Sequence, residues 1–421
     1  MPGKDPEVLV VGAGAAGLFG AYFLRQRGLN VTVVDAGQVG GPQSCSAGNT
    51  GFVGSQGAAP LAEPGVLRQG FRWLASYRSP FSITPRPSPA LISWLLRFSR
   101  LCNEADAKRC FAVLVEQKRR SLRILREVCA SGELADCLIE PGMVVAYKTK
   151  IAFDQACTAL PEAVSRGVPL SVLDAAELKA LAPEVTFDIH GALFNAEGAA
   201  LAVPAFLTGF SRLLESMGVR IVPGARVTGF RVAGRRVSLV RTTQGDFRPG
   251  EVVIAAGAWS ARCAAMLGLR LPLQPARGYT VTVPSTGGAP VLPVLLSEGK
   301  VALMPLGDRL RFGGTLQLAG LSTSTSRRRV DGIVSTVRSY LPDLTVGADR
   351  EVWTGLRPCT PDSIPLIGRA GAYGNVFVAC GHGYIGLGLA PAGGRLLAQL
   401  MTGEEPEVDP SPFQPGRFSY G

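Results

Sequence analysis

The N-terminal residues alternate between apolar runs and a glycine cluster, a pattern that predicts a β-α-β unit. Residues 8–11 form the run of β-branched residues and leucine that a buried parallel strand requires. A glycine cluster at 12–17 follows, residues 18–27 are helical in character and end at Gly28, and residues 31–34 form a second apolar run. Two strands and a helix within about thirty residues are typical of a nucleotide-binding domain.

The spacing of the glycines indicates a phosphate-binding turn. Gly12 suits a tight turn, Gly14 allows a pyrophosphate to approach the backbone, and Gly17 lets the helix pack on the strand. The start of the helix offers free N–H groups to phosphates. Asp35, after the second strand, can accept hydrogen bonds from ribose hydroxyls. Glycines at this spacing can also serve packing alone, but the complete unit with its acid favours a nucleotide site.

Two later segments repeat the alternation of apolar strand and glycine loop. Residues 218–251 predict three antiparallel strands joined by turns, and an apolar strand follows over 252–256. Near the C-terminus a strand over 376–379 precedes a glycine loop and a helix from about 391 to 401. A second helix that opens from a glycine loop is a second anion site. A resident flavin, whose ring carbonyl becomes negative on reduction, needs such a site, whereas a soluble nicotinamide does not.

Composition narrows the class of protein. A chain of 421 residues suits two domains, and 47% hydrophobic with 18% charged residues is an ordinary globular composition. The net charge of +11 would suit an anionic ligand, an anionic membrane surface or nucleic acid. No nucleic-acid-binding motif accompanies the charge, so we expect no nucleic-acid partner.

Cysteine and histidine usage argues against a metal site or a disulfide framework. The nine cysteines contain no Cys-x-x-Cys pair, and His190 and His382 are the only histidines. We therefore expect reduced thiols and no metal. Because no signal peptide and no run of about 18 apolar residues is found, we also expect a cytoplasmic protein. Residues 66–103 mix aromatic residues with arginines, which suits either a membrane interface or a helical subdomain with solvated arginines.

Several motifs, in a fixed order, resemble those of the bacterial FAD-dependent D-amino acid dehydrogenases. These enzymes belong to the superfamily of D-amino acid oxidase, glycine oxidase and sarcosine oxidase. The motifs are "GAGAAG…VVDAG", "SAGNTG", "GAWS", "RGYTV", "RFGGT", "WTGLRPCTPDSIPLIG" and "VACGHGYIGLGLAPAGGRLLAQL". The resemblance covers nearly the whole chain.

The resemblance implies an α/β fold with two discontinuous domains. A Rossmann-like FAD-binding domain is expected over 1–60, 196–268 and 345–421. A substrate domain, built on an antiparallel sheet, is expected over 61–195 and 269–344. Its strands are assigned to Met143–Ala146, Ile189–Phe194, Tyr279–Val283, Val301–Met304 and Leu310–Gly313.

The resemblance also implies non-covalent FAD and the oxidation of a small amino acid substrate. The substrate is expected to be a D-amino acid or a cyclic imino acid of the proline or hydroxyproline type. Hydride transfer from its α-carbon to flavin N5 gives an imine, and no strong base is needed if the amine binds deprotonated. The alternatives are an amine oxidase of the glycine or sarcosine type and a flavoprotein subunit with little activity of its own.

The family analogy extends to the electron acceptor and to the cellular location. A quinone or respiratory-chain acceptor is expected. Such an acceptor predicts peripheral contact with the inner face of the membrane through residues 66–103.

Four residues are expected to act on the substrate. Arg357 is placed in a loop after a strand, where its guanidinium would bind the substrate carboxylate bidentately. Tyr279 would hydrogen-bond the substrate, or else pack within the sheet. His382 would act near the flavin through its ring, or contribute only its peptide groups. Tyr384 would cover the substrate or contact the edge of the flavin.

The residues expected to bind FAD come from five places along the chain. They are Gly12, Gly14, Ala15, Ala16, Gly17, Asp35 and Ala36 in the first unit; Ser46, Gly48, Asn49, Thr50 and Gly51 in a loop under the flavin ring; Val227, whose main chain would contact adenine; Ala256, Gly257 and Trp259; and Gly381, His382, Gly383, Tyr384, Ile385 and Gly386.

Overall fold

A computed structural model describes residues 5–54, 58–68, 70, 79–347 and 349–418 of the chain. Its α-helices are α1 (Ala15–Gln26), α2 (Pro89–Leu101), α3 (Glu104–Val128), α4 (Lys150–Ser165), α5 (Ala175–Leu181), α6 (Val203–Ser216), α7 (Ser260–Ala265), α8 (Arg327–Tyr340) and α9 (Gly386–Thr402). Short 3-10 helices lie at Gly132–Cys137, Gly257–Trp259, Ser411–Phe413 and Pro415–Phe418.

The strands are β1 (Val8–Val11), β2 (Val31–Val34), β3 (Phe81–Ile83), β4 (Leu138–Ile139), β5 (Met143–Tyr147), β6 (Leu170–Leu173), β7 (Gly191–Asn195), β8 (Ala200–Leu201), β9 (Arg220–Val222), β10 (Val227–Ala233), β11 (Arg236–Thr242), β12 (Gly245–Phe247), β13 (Glu251–Ile254), β14 (Gln274–Pro284), β15 (Val294–Leu296), β16 (Val301–Leu306), β17 (Arg309–Leu318), β18 (Glu351–Cys359), β19 (Leu366–Arg369) and β20 (Val376–Cys380).

The first sheet has six strands in the order β19-β20-β13-β1-β2-β9. Its central strands are parallel, and the edge strand β19 runs antiparallel to β20. All residues of β1 and β2 are buried, which explains their continuous apolar sequence. The predicted β-α-β unit is confirmed, although α1 begins at Ala15, three residues earlier than the sequence pattern suggested.

The second sheet has nine strands, with β18-β14-β17-β16-β15-β5-β7-β6 in order and β3 beside β17. Most pairs are antiparallel, as predicted, but β15 with β5 and β17 with β3 are parallel. Helix α8 packs on one face through residues such as Val330 and Val337, which share a core with Tyr279 and Phe312. Strand β18 belongs to this sheet, although it follows residue 345, where the sequence placed a domain boundary.

Helices α3 and α9 pack together beside the first sheet. Helix α9 begins at Gly386, five residues before the predicted start, and Pro391 lies inside it. The backbone N–H of Ala392, the residue after this proline, donates to Ser121 Oγ of α3 at 3.1 Å. A side chain of the neighbouring helix therefore accepts a hydrogen bond next to the proline. The proline therefore did not mark the beginning of the helix.

Helix α2 corrects part of the interpretation of residues 66–103. Residues 69 and 71–78 lie outside the described part of the chain. Trp94 and Phe98, taken as candidates for a membrane interface, are 2% and 7% exposed and pack against Leu316. Trp94 Nε1 also donates to the Cys359 carbonyl at 3.0 Å. These two aromatic residues belong to the core because the buried face of α2 covers the second sheet.

Candidate active site

A cavity of about 1300 Å³ contains most of the residues that the sequence analysis selected. Residues of both sheets line it, and the segments 34–50, 255–263 and 379–387 contribute to its wall. Of the expected residues, those that line it are Gly12, Gly14, Ala15, Ala16, Asp35, Ala36, Ser46, Gly48, Asn49, Thr50, Val227, Ala256, Gly257, Trp259, Arg357, His382, Gly383, Tyr384, Ile385 and Gly386.

Three expected glycines support the wall from behind instead of lining the cavity. A Cβ at Gly17 would lie 1.8 Å from the Gly12 carbonyl oxygen, so this glycine lets α1 pack closely on the turn. Gly51 has a φ of +101°, and a Cβ there would lie 2.4 Å from the Leu201 carbonyl oxygen. Gly381, with a φ of +84°, lies against Thr360 in the same way. Their role is conformational, because other side chains would be strained or would clash.

Asp35 fixes the glycine turn through two short hydrogen bonds. Its Oδ2 accepts from the Ala13 N–H at 2.6 Å, and its Oδ1 accepts from the Gly37 N–H at 2.7 Å. A carboxylate oxygen has further lone pairs, so both atoms can still accept from a ribose. The acid therefore orders the turn as well as facing the cavity.

Two helices begin at the cavity wall, and the N-cap residue of neither helix caps it with its own side chain. The N-cap residues are Gly14 for α1 and Ile385 for α9, and neither makes a side-chain cap hydrogen bond. Neither first turn, each fully described, carries an acidic residue. Two positive dipole ends that open on one cavity suit the pyrophosphate and the ring carbonyl of FAD, so the residues fit this cofactor.

The loop 46–51 is held from both sides of the cavity. Ser46 Oγ accepts from the Ala15 N–H at 3.1 Å, which ties the loop to the start of α1. On the other side Arg311 Nη1 donates to the carbonyls of Ala47 at 3.0 Å and Asn49 at 3.2 Å. Arg311 Nε donates to Thr282 Oγ1 at 3.1 Å, so the second sheet positions this loop.

Arg357 lies within β18 and not in the loop where it was expected. Its guanidinium lies over Gly278 of the neighbouring strand β14. A Cβ at Gly278 would lie only 2.3 Å from Arg357 Cζ, so the absence of a side chain there makes room for the guanidinium. Its Nη1 donates to the carbonyl of Thr315, a residue with a φ of +61°. Burial lowers the pKa of Arg357, and the group remains a cation that lines the cavity.

Tyr279 does not take part in this site. Side chains of a strand alternate between its faces, and Tyr279 faces α8 while Gly278 faces the Arg357 guanidinium on the other side. The ring is fully buried, and its hydroxyl donates to Gln317 Oε1 at 3.0 Å. The expected hydrogen bond to substrate is thus replaced by the alternative, a tyrosine that packs within the sheet.

His382 and Tyr384 lie at the start of α9 with different side-chain surroundings. A Cβ at Gly393 would lie 3.3 Å from His382 Nε2, so the ring lies against the second turn of α9. Burial lowers the pKa of His382 to about 4, which keeps the ring neutral near pH 7. The Tyr384 hydroxyl donates to the Ala59 carbonyl at 2.7 Å, and burial raises its pKa. Both rings are held by the protein and uncharged.

The structure adds residues that sequence reasoning did not select. Trp353 lines the cavity, its ring covers Gly48 and Gly355, and its Nε1 donates to the Pro42 carbonyl at 2.7 Å. The two-residue spacing of Trp353, Gly355 and Arg357 in one strand was the signal that could have identified them as one face. Lys118 of α3 also lines the cavity, from a helix whose sequence gives no indication of a site.

Other wall residues are apolar and lie on α2, β3 and β17. They include Phe81, Ile83, Trp94, Phe98 and Leu316. Tyr384 packs against the same core, so this wall is adjacent to the start of α9. The cavity therefore combines charged groups and helix N-termini with a wide apolar surface.

The β-α-β unit, the two helix N-termini and the sheet that covers them define a flavin-dependent oxidoreductase. The chain belongs to the family described as FAD dependent oxidoreductase, which matches residues 7–400. The expected cofactor, FAD, is confirmed by this membership.

Relatives over the full length agree with this family. The chain is 33% identical to a D-amino acid dehydrogenase of Methylobacterium radiotolerans, with 98% of this chain and all of that protein covered. It is 30% identical to a D-amino acid dehydrogenase of Granulibacter bethesdensis, with 98% and 100% covered. The structure of glycine oxidase from Geobacillus kaustophilus has a TM-score of 0.74 at 23% identity and covers 99% of this chain and 100% of that one, which shows the shared fold.

Proposed function

We propose that this protein oxidises an α-amino acid, a D-amino acid or a cyclic imino acid of the proline type, with Arg357 binding the substrate carboxylate. The proposal is carried by the position of the Arg357 guanidinium. It lies over Gly278 and lines the cavity together with an apolar wall. Arginine matches a carboxylate with two parallel charge-assisted hydrogen bonds. The relatives named D-amino acid dehydrogenase support this choice of substrate.

The protein contributes binding and orientation to the proposed reaction. When FAD is bound, its ring supplies the hydride acceptor for the α-carbon, and the substrate leaves as an imine. Arg357 fixes the carboxylate, and the apolar wall around Trp94 and Leu316 receives the substrate side chain. Tyr384 and His382, neutral at working pH, exclude water at the start of α9 without acting as bases. The proposal needs only that the amine binds deprotonated.

The proposed cofactor linkage is non-covalent. Cys359 and Cys380 lie next to the two C-terminal motifs, and burial raises the pKa of each thiol to about 12. A thiol that stays protonated is a poor nucleophile towards a flavin. Acid precipitation of the protein should therefore release all the yellow colour into the supernatant.

An Arg357→Met variant tests the proposed substrate role. Anaerobic mixing with a panel of D- and L-amino acids, prolines and sarcosine should bleach the wild-type flavin with one of these classes. The variant should keep its FAD but bleach at least about 100-fold more slowly at equal substrate concentration, because two charge-assisted hydrogen bonds are lost. Dithionite should still bleach both proteins.

Arg350→Met provides the control, since Arg350 pairs with Asp331 outside the cavity. Equal bleaching by the Arg357→Met variant and this control would overturn the role of Arg357. Bleaching by glycine or sarcosine alone would replace the proposed substrate with that of the amine oxidases. If no compound bleaches the wild type, the protein would be a flavoprotein subunit with little activity of its own.

We also propose that the acceptor is a quinone and that the outer face of α2 contacts the cytoplasmic side of the membrane. Ile92 and Leu96, one turn apart on this helix, are both 57% exposed beside Arg100. Among the helices of the described residues, none combines the length and hydropathy that a bilayer crossing requires. In a flotation assay with anionic vesicles, the wild type should float with the vesicles and the double variant Ile92→Ser/Leu96→Ser should not. The control Ile151→Ser, at a residue that is 72% exposed, should float like the wild type.

A further inference from the structure

Lys118 is a lysine inside the protein that the proposed reaction does not use. It lies on α3, is 1% exposed, and lines the same cavity as Gly386 and Leu387 at the start of α9. Lysine is among the residues least often buried, because the charged form loses its hydration. A fully buried lysine at the wall of a cofactor cavity requires an explanation.

The packing of α3 on α9 directs the Lys118 side chain towards the cavity. A Cβ at Gly388 would lie 3.1 Å from Lys118 Cε, so the stem crosses the first turn of α9 at a glycine. One turn further along, Ser121 of α3 contacts Ala392 of α9, so the two helices run in the same direction. Because helical side chains lean towards the N-terminus of their own helix, Lys118 leans towards the start of α9.

Because of its burial, Lys118 exchanges between its protonated and neutral forms near neutral pH. Desolvation lowers the pKa of the amine to about 7. Several charged groups on the same two helices form ion pairs, among them Glu116 with Arg120 and Arg395 with Glu127.

The groups that face Lys118 from the start of α9 carry no charge. His382 and Tyr384 are both neutral near pH 7. The first turn of α9, which is fully described, contains no acid. The segment 46–54 beside it contains no ionisable side chain. Glu63 lines the same cavity and acts on Tyr384, and burial raises the pKa of its carboxyl. Lys118 and Glu63 therefore both contribute a variable charge to the cavity.

We propose that Lys118 supplies a titratable positive charge to the FAD site and so adjusts how strongly the bound flavin holds negative charge. A cation near the ring favours the reduced flavin and anionic adducts over the neutral oxidised form. The proposal rests on FAD in this cavity and does not depend on which amino acid is oxidised.

Sulfite affinity measures this charge without any substrate turnover, since the flavin–sulfite adduct is anionic. At pH 6 Lys118→Met should bind sulfite about tenfold more weakly than the wild type, the change expected when one buried charge is removed. At pH 9, where the wild-type lysine is neutral, the two proteins should bind sulfite alike. Comparing the proteins at each pH removes the contribution from the titration of sulfite itself.

Two further variants make each outcome decisive. Lys118→Arg keeps the charge at all pH values, so its sulfite affinity at pH 9 should exceed that of the wild type. Lys150→Met, at a 70% exposed lysine paired with Asp154, should match the wild type throughout. A ratio of wild type to Lys118→Met that is the same at pH 6 and pH 9 would overturn the proposal. If Lys118→Met fails to hold FAD, an equal affinity of the arginine variant and the wild type at pH 9 would overturn it.

Discussion

At the scale of single residues, the candidate site depends on the position of the Arg357 guanidinium. Arg357 pairs with Ala276 across the strands, and its side chain occupies the space over the adjacent Gly278. The Thr315 carbonyl then accepts from Nη1, at a point where the register of β17 shifts against β14. An irregular ladder next to a site is a common way to redirect a backbone group. Three strands, β18, β14 and β17, thus position the Arg357 guanidinium.

Gly278→Ala should weaken substrate binding while leaving FAD in place. The new Cβ would lie 2.3 Å from Arg357 Cζ, so the guanidinium must move away from its position over β14. We expect KM to rise about tenfold or more, because a displaced bidentate partner loses most of its interaction with a carboxylate. Steady-state kinetics with the best substrate would measure this change. Gly287→Ala, where a Cβ meets nothing within 4 Å, is the matched control, and an unchanged KM in Gly278→Ala would contradict this account.

At the scale of elements, the loop 46–51 depends on a strand of the other sheet. Arg311 projects from β17 and donates to two loop carbonyls, while Thr282 of β14 orients the same guanidinium. Burial lowers the pKa of Arg311, which reflects how far the group lies from water. The loop 46–51, which lines the cavity, is thereby fixed by the sheet that also carries Arg357.

Arg311→Met should weaken FAD binding about tenfold through the loss of hydrogen bonds from a charged donor. Equilibrium titration of the apoprotein with FAD, followed by flavin fluorescence, measures the dissociation constant. Arg309→Met on the same strand is a suitable control, because Arg309 pairs with Glu351 and donates to the Thr282 carbonyl of β14. Equal FAD affinity in the two variants would show that the loop holds its shape without Arg311.

At the scale of the whole molecule, the segment between β18 and β19 connects the two sheets and is anchored by the C-terminal residues. Asp362 is 4% exposed and accepts two hydrogen bonds from Arg417, at 2.8 and 2.9 Å. Arg417 also donates to the carbonyls of Ile364 and Pro365. The Thr-Pro-Asp motif, which the sequence analysis used for recognition, therefore has a structural role at this connection.

Arg417→Met should destabilise the fold by about 3 kcal/mol or more, since it leaves the buried Asp362 carboxylate without its partner. Thermal or denaturant unfolding with bound FAD measures the loss. Arg212→Met breaks an exposed pair with Glu133 and should cost less than about 1 kcal/mol. A loss in Arg417→Met no greater than in this control would mean that the C-terminal segment does not hold the connection.

Part of the site could be predicted from sequence because local backbone geometry determines it. The turn at Gly12 needs a φ of +118°, and the contact of Gly17 with that turn leaves no room for a side chain. Such constraints appear as glycines at fixed spacing, so the sequence carries them directly. Asp35 is marked in the same way by its position at the end of a buried strand.

The failures and the open alternatives of the prediction have equally specific causes. The sequence left two alternatives for Tyr279, the site and the sheet core, because the face of a strand cannot be chosen before its register is known; the side chain packs under α8. The start of α9 was placed at Pro391 because a proline often marks a first turn, whereas Ser121 of another helix accepts a donor beside it. For residues 66–103 the sequence left a membrane interface and a helical subdomain open, because an amphipathic helix does not reveal which partner it covers; Trp94 and Phe98 pack in the core.

The sequence by itself determined the β-α-β unit with its glycine turn, the cofactor FAD and the family to which the chain belongs. These features are local, and strand, turn and helix lie within a few residues of one another. Only the tertiary structure decided that Arg357 lies over Gly278, that Arg311 holds the loop 46–51, and that Lys118 reaches the start of α9. Each of these contacts joins residues far apart in the chain, and no local pattern specifies which distant backbone leaves space for a side chain.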